Sequence, residues 1–218
     1  MSLFRTGCLI TTCALAVFGL NCASHLSREL AHEREDRNEG LSAFAYVLKV
    51  TVSSARCINC HVSGDHPMQL EGAARRIHPM NVQRKLVNLG LQCTSCHGTR
   101  NFDEEHLPPG TLLRGEPHWG MPSAHKAFSQ NTSAVELCQL WKDPRRNEFE
   151  NDDPETGRKA NEPRTPEDLL AHVTNDPLVT WTWSPGPGRT PSSGTHEEFV
   201  KNFAVWVGNG APCPDESK

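Results

Sequence analysis

The chain has 218 residues, with 22 Lys and Arg against 26 Asp and Glu, enough for one good-sized domain or two small ones. Basic and acidic side chains are interspersed, which excludes the positively charged stripe of a nucleic-acid-binding surface; no nucleic-acid partner is expected. Nine cysteines remain to be explained, and their positions organise the reading.

Arg5 is the only charge before Arg28, and an apolar run from Cys8 to Leu20 follows it. That is the n-region and h-region of an export signal, so residues 1–23 are expected to be a signal peptide cut near Ala23. Two alternatives stay open. Cys22 could be the lipidated first residue of a lipoprotein, or the uncharged stretch 6–23 could stay uncleaved as an anchor barely able to span a bilayer. All three readings place the remainder outside the cytoplasm, periplasmic or otherwise exported, with a membrane association only through the N-terminus. Removing the leader takes away only Arg5 and leaves 21 basic against 26 acidic side chains. Residues 24–40 form a charged spacer, helical or disordered. Leu41 to Val52 is apolar, with Lys49 as its only charge, and is expected as a buried helix or strand.

Two copies of CxxCH follow, Cys57-Ile58-Asn59-Cys60-His61 and Cys93-Thr94-Ser95-Cys96-His97. Each reads as an attachment site for a c-type haem. Cysteines three apart lie one turn apart on one helical face, where their thiols can meet the two vinyl groups of a porphyrin. The next residue, His61 or His97, turns its imidazole toward the ring as proximal iron ligand. A single CxxCH could be a zinc half-site or a redox dithiol; two complete copies behind an export signal argue against both. The expected cofactors are therefore two covalently bound haems, held by Cys57, Cys60, Cys93 and Cys96. Only 36 residues separate Cys57 from Cys93, too few for two complete single-haem domains in tandem. One shared unit over residues 41–218 is expected, with the porphyrins supplying much of its apolar core.

Cys8, Cys13 and Cys22 fall in the leader and four cysteines in the motifs, which leaves Cys138 and Cys213. In an oxidising compartment such a pair is most economically a disulfide, closing a loop worth about 4–5 kcal/mol by chain entropy. The alternative is two independent buried thiols.

Between the motifs, Asn81 to Leu89 is expected as helix ending at Gly90. Asn101 to Pro122 is rich in Pro and Gly and reads as an irregular loop wrapping a cofactor. Ser133-x-x-Glu136 opens a helix through Leu137, Cys138 and Trp141 that Pro144 stops. Thr165-Pro166-Glu167-Asp168 opens another, bounded by Pro177. Thr195-x-x-Glu198 is a capping box, and Phe199, Phe203, Trp206 and Val207 after it form one apolar stripe, expected as ordinary core. Segments 142–164 and 184–194 read as loops and no strand signal is strong. The fold class expected is mainly α with long irregular loops, a compact multihaem c-type cytochrome.

The sixth iron ligand decides between an electron carrier and an enzyme, because an open face can bind peroxide, nitrite or a gas. The candidates are His66, His78, His106, His118, His125, His172, Met68, Met80 and Met121. His78 lies far enough past the first motif for the chain to double back, and is expected to close the first iron. His125, and after it Met121, lie about as far past the second motif and are expected to close the second iron. His118 ranks third, with His172 behind it.

Further residues carry a resemblance. The first motif is followed by Gly64-Asp65-x-Pro67, by His78 and Asn81-Val82-Gln83-Arg84, and then by the second motif. Later come Leu137-Cys138, Lys142-Asp143-Pro144 and Arg146-Asn147. The tail holds His172, Asp176-Pro177-Leu178-Val179, Trp181 to Trp183, Pro185-Gly186-Pro187-Gly188-Arg189, Trp206 and Gly210-Ala211-Pro212-Cys213-Pro214. Over most of the mature chain this resembles a family of small exported dihaem cytochromes c labelled isoquinoline 1-oxidoreductase subunits. The resemblance implies a periplasmic cytochrome that accepts electrons from a partner oxidoreductase such as a molybdenum hydroxylase. It also implies a methionine-bearing segment near residue 125, where this sequence reads Ala124-His125-Lys126. The expected function is electron transfer rather than catalysis. The alternative is a haem enzyme or small-ligand sensor with one open iron, peroxidase-like, although dihaem peroxidases need two full cytochrome domains.

Overall fold

No proline occurs before Pro67, and the N-terminal part of the chain uses that freedom to form one continuous helix, α1 (Gly7–Ser53). The computed structural model describes residues 7–78, 92–105, 107–149 and 157–215, with side chains from residue 27 onward. The helix expected over Asn81–Leu89, together with Met80 and His106, lies outside the described residues, as do the side chains of the leader. The boundary expected near residue 40 between spacer and domain is not a break in the backbone: α1 runs through it. Nothing in Arg28 to Glu39 interrupts a helix, and the chain there is charged and exposed. Among the described residues no helix is long and apolar enough to cross a membrane.

After α1 come α2 (Ala55–Ile58), a two-stranded hairpin of β1 (Met68–Gln69) and β2 (Arg76–Ile77), and a second hairpin of β3 (Leu112–Leu113) and β4 (Glu116–Pro117). Four helices close the chain: α3 (Ala134–Lys142), α4 (Pro166–Asn175), α5 (Pro177–Trp181) and α6 (His196–Gly208). At 46 % helix the protein is mainly α, and its strands are too short to form a layer.

The core sits where the end of α1 crosses α6 and α3. Ala43, Phe44, Val47 and Val50 repeat at helical spacing and are buried, so one stripe of α1 faces inward. They meet Phe199, Phe203 and Trp206 of α6 and Leu137, Cys138 and Leu140 of α3. The rings interlock: Phe44 lies 5.2 Å from Trp206 and 6.0 Å, edge on, from Trp141, while Phe203 meets Trp206 edge on at 5.3 Å. The α6 stripe is therefore core, as its spacing indicated. Local signals set the helix starts. Ser133, Thr165 and Thr195 each accept from the backbone N–H three residues on, and Glu136, Asp168 and Glu198 each accept from the cap residue's own N–H. α5 is an addition to the expected list: Pro177, read as a stop for α4, also serves as the first residue of a new turn capped by Asp176.

The C-terminal tail is fastened back onto this core. Trp206 Nε1 and Lys142 Nζ donate to the carbonyls of Pro212 and Ala211, at 3.0 and 2.8 Å. A side chain at Gly40 would meet Pro212 Cγ at 2.7 Å, so glycine lets α1 pass against the tail. Cys138 and Cys213 form a disulfide across a separation of 75 residues, with Cα atoms 5.6 Å apart.

Replacing both cysteines, Cys138→Ser with Cys213→Ser, is expected to lower stability by up to about 4–5 kcal/mol, read as a fall in the denaturant midpoint. Alkylation of the unfolded, unreduced protein should leave both residues unmodified, and reduction should expose them.

Candidate functional site

The two CxxCH segments fold into the same turn. In the first, α2 carries Cys57, and the His61 N–H returns to the Cys57 carbonyl at 3.1 Å. In the second, a 3-10 turn covers Cys93–Ser95, and the His97 N–H returns to the Cys93 carbonyl at 3.0 Å. Each histidine thus leaves its turn four residues after the first cysteine.

Both imidazoles are held by the same two devices. His61 Nδ1 lies 2.8 Å from the Lys126 carbonyl, and His97 Nδ1 lies 2.6 Å from the Pro109 carbonyl. A carbonyl only accepts, so each Nδ1 carries the hydrogen, and in the neutral ring the lone pair then resides on Nε2. An aromatic ring lies along each imidazole: Phe128 against His61 with centroids 4.4 Å apart, Trp119 against His97 at 4.4 Å and 4°. Both supports are themselves anchored. The Phe128 N–H donates to the His61 carbonyl at 3.1 Å, and Lys126 Nζ donates to the Glu148 carbonyl at 2.6 Å. Trp119 meets Trp181 of α5 edge on at 4.8 Å, and Trp181 Nε1 donates to Asn101 Oδ1 at 2.9 Å. A side chain at Gly110 would run into the Gly98 carbonyl and meet the Arg100 carbonyl at 2.7 Å. Glycine there is what lets the neighbouring Pro109 carbonyl reach His97.

The four motif thiols are not disulfide-bonded. Burial, and then the neighbouring Cys57 and Cys93, push the Cys60 thiol up to about 12. Burial also raises Cys57 and Cys93. The two motifs meet through the residue that follows the β1–β2 hairpin. The rings of His78 and His97 are 6.2 Å apart and inclined at 51°. Burial lowers the pKa of both, and His78 adds to the effect on His97.

The β1–β2 hairpin lies over the first motif. Asn59, buried between the two cysteines, accepts from Met68 N at 2.8 Å through its carbonyl and donates to the Leu70 carbonyl at 2.8 Å. Arg75 donates to Asn59 Oδ1 at 2.7 Å and to the Ile58 carbonyl at 2.9 Å. Arg56, whose side chain is 7 % exposed, pairs with Glu71 at 3.3 Å, and its buried Nε has no hydrogen-bond acceptor among the described residues. Arg189 donates to the Leu107 carbonyl at 2.6 Å and feels the charge of Arg56. Glu71, the partner of Arg56, also accepts from the N–H of Thr190, next to Arg189, at 3.0 Å.

The remaining candidates scatter. Met121 is half-buried and His125 is exposed. His125 occupies the 3-10 turn Ala124–Lys126, whose last carbonyl holds His61, so this segment touches the first motif. Met68 is in β1. His66 has a buried Nδ1 with no hydrogen-bond partner among the described residues. His118 Nε2 and His172 Nδ1 both turn to Asp176, at 3.2 and 3.4 Å. Sequence reasoning passed over the carbonyls of Lys126 and Pro109, which carry no residue-type signal, and the hairpin that ties Arg75 to Asn59. Trp119 and Phe128 were visible as lone aromatics in polar loops.

Comparison of the chain with family models, curated proteins and solved structures finds no match.

Asp176 sets a pH dependence. Burial works to raise its pKa, but hydrogen bonds from His118 and His172 outweigh burial and hold the carboxyl far below its usual range. The His118 pKa is raised, first by the bond to Asp176. The depressed carboxylate stabilises the fold above its unfolded pKa of about 3.9, and the raised imidazole does so below its unfolded pKa of about 6.5. Asp176→Asn should therefore cost about 1–2 kcal/mol near pH 5.5 and less at alkaline pH, as the solution rises through the raised pKa of His118. Denaturant midpoints of the two proteins at these pH values measure it.

Proposed function

We propose that this protein is an exported dihaem c-type cytochrome that passes electrons, serving as the electron-accepting partner of a periplasmic oxidoreductase such as a molybdenum hydroxylase. The observation that carries the reading is the matched state of His61 and His97. Each gives Nδ1–H to a backbone carbonyl from another segment, the arrangement that orients an imidazole to ligate a metal through Nε2. The surrounding donor set fits the group. Four thiols, unpaired with one another, stand in two identical turns next to those imidazoles.

Cys57, Cys60, Cys93 and Cys96 would form the thioether links, and His61 and His97 would bind iron. The unsatisfied Nε of Arg56, with Arg189 near it, suits the carboxylates of haem propionates. Bound at these residues, the haems would supply one-electron chemistry at a potential set by axial ligation and burial. The chain's part is to hold its ligands still. Phe128 and Trp119 exclude water from one side of each imidazole, and the carbonyl partners keep the hydrogen on Nδ1. The hairpin tied to the first motif brings His78 within 6.2 Å of His97 of the second, and neighbouring sites suit exchange between two centres, which is a carrier's task.

Matured with the c-type attachment machinery, the protein is expected to retain two haems per chain after denaturation and acid-acetone extraction. Cys93→Ala should weaken one attachment and leave the other. Extraction of all the colour from the unsubstituted protein would reject the cytochrome reading. Carbon monoxide should leave both absorption bands unshifted; a shift in one would favour the open-iron alternative.

A further inference from the structure

His78 was expected over the first haem, yet its ring faces the histidine of the second motif. The first link in the argument is how it gets there. The His78 N–H donates to the Pro67 carbonyl at 3.0 Å, which extends the β1–β2 hairpin by one step. The hairpin is fixed to the first motif through Asn59 and Arg75. The residue at its end is therefore placed by the first motif and presented to the second.

The second link is a distance. The His78 and His97 ring centroids are 6.2 Å apart. An imidazole nitrogen binds a transition metal at about 2.0–2.1 Å, and atoms of a five-membered ring of such bonds lie about 1.15 Å from its centre. Two imidazoles closing one metal from opposite sides then have centroids about 6.3 Å apart when collinear. The stacked partners of the motif histidines sit at 4.4 Å instead, whereas tilted rings in the core pack at a separation like that of His78 and His97, Phe199 and Phe203 at 6.1 Å. The 51° inclination is no obstacle, because two axial imidazoles can rotate independently about their bonds to the metal. The third link is tautomer. Pro109 commits His97 Nδ1, so only Nε2 can turn to a metal, and Trp119 already covers one ring face.

Resting on the dihaem reading above, we infer that His78 is the distal ligand of the second haem, forming with His97 a bis-histidine pair supplied by the hairpin of the first motif. The two haem sites are then interlocked: the segment that covers the first supplies a ligand to the second.

The test uses the full chain carrying haem. The pyridine-haemochrome yield per polypeptide is measured first, because fewer than two covalent haems would defeat the cytochrome reading itself. His78→Ala is then compared with the unsubstituted protein by electron paramagnetic resonance and by carbon monoxide binding. The expected result is two retained haems, with one of them converted from low spin to high spin and able to bind carbon monoxide. Added imidazole should restore the low-spin signal, which a merely structural role would not allow. His78→Met should instead give a low-spin centre of higher potential with a sulfur-to-iron band. Placement is read in a Cys57→Ala, Cys60→Ala chain that keeps only the second attachment, where His78→Ala must convert the single haem. If that chain does not mature, nuclear Overhauser contacts in the two-haem protein decide it. The hyperfine-shifted ring signals lost in His78→Ala must share a porphyrin with those of His97. Two low-spin haems in His78→Ala, or conversion of the haem ligated by His61, would overturn the assignment while leaving the dihaem reading intact.

Discussion

An imidazole with one nitrogen committed to a peptide carbonyl is the constraint on which the rest of this structure depends. The ring has only two nitrogens, and the tautomer decides which of them can bind a metal. Tying Nδ1 of His61 and His97 to carbonyls settles that choice at both motifs, and the tie also fixes the plane of each ring. The carbonyls come from 65 and 12 residues away, so both depend on loops being held in place. Much of the chain's irregular structure can be understood as the means of holding them. Lys126 is buried and spends its ammonium on the Glu148 carbonyl, and Gly110 gives up a side chain so that its backbone can lie against Gly98 and Arg100.

The two motifs reach this common geometry from different foundations. The first grows out of the helical core: α2 begins directly after α1, and Ser54 at the junction is buried and shares a 2.7 Å hydrogen bond with Ser192 ahead of α6. Motion of the first turn is therefore resisted by the packing of Phe44, Val47 and Val50 against α6. Among the described residues, no part of α1 or α6 carries the second motif. Its support is a chain of single contacts, from Trp119 to Trp181 of α5, from Trp181 to Asn101, and from Arg189 to the Leu107 carbonyl. α5 is only five residues long, and its start is capped by the same Asp176 that gathers His118 and His172. His118 and His172 thus serve the scaffold of the second motif through a carboxylate, which separates them from the histidines that face the motifs.

What could be read from the sequence was what a few neighbouring residues decide. Capping at Ser133, Thr165 and Thr195 involves four residues each, and the stripe Phe199, Phe203 and Trp206 follows helical period alone. The pairing of Cys138 with Cys213 followed from elimination, since no other cysteines remained. The CxxCH turns were equally local. What escaped depended on partners far along the chain. The carbonyls of Lys126 and Pro109 have no side-chain signature, because every residue carries one. The continuity of α1 was masked by the change in composition near residue 40, although no residue there breaks a helix. The placement of the later histidines assumed that each segment folds back on the motif it follows. Instead the Ala124–Lys126 turn reaches the first motif and His78 reaches the second.

That crossing has a physical rationale in the short spacer. With Cys93 only 36 positions after Cys57, each motif cannot have its own enclosing domain, so each must borrow its covering from segments already serving the other. The β1–β2 hairpin is the clearest instance. Asn59 lies between the two cysteines of the first motif and anchors the hairpin, while the residue that ends the hairpin meets His97. Sharing of this kind makes the second site's geometry depend on the first site's being formed. It also means that little chain has to rearrange independently at either motif, since displacement of the hairpin disturbs both. On the proposed dihaem reading, a pair of redox centres would gain from such mutual restraint, because an electron passes most readily between sites whose ligands do not move when the charge does.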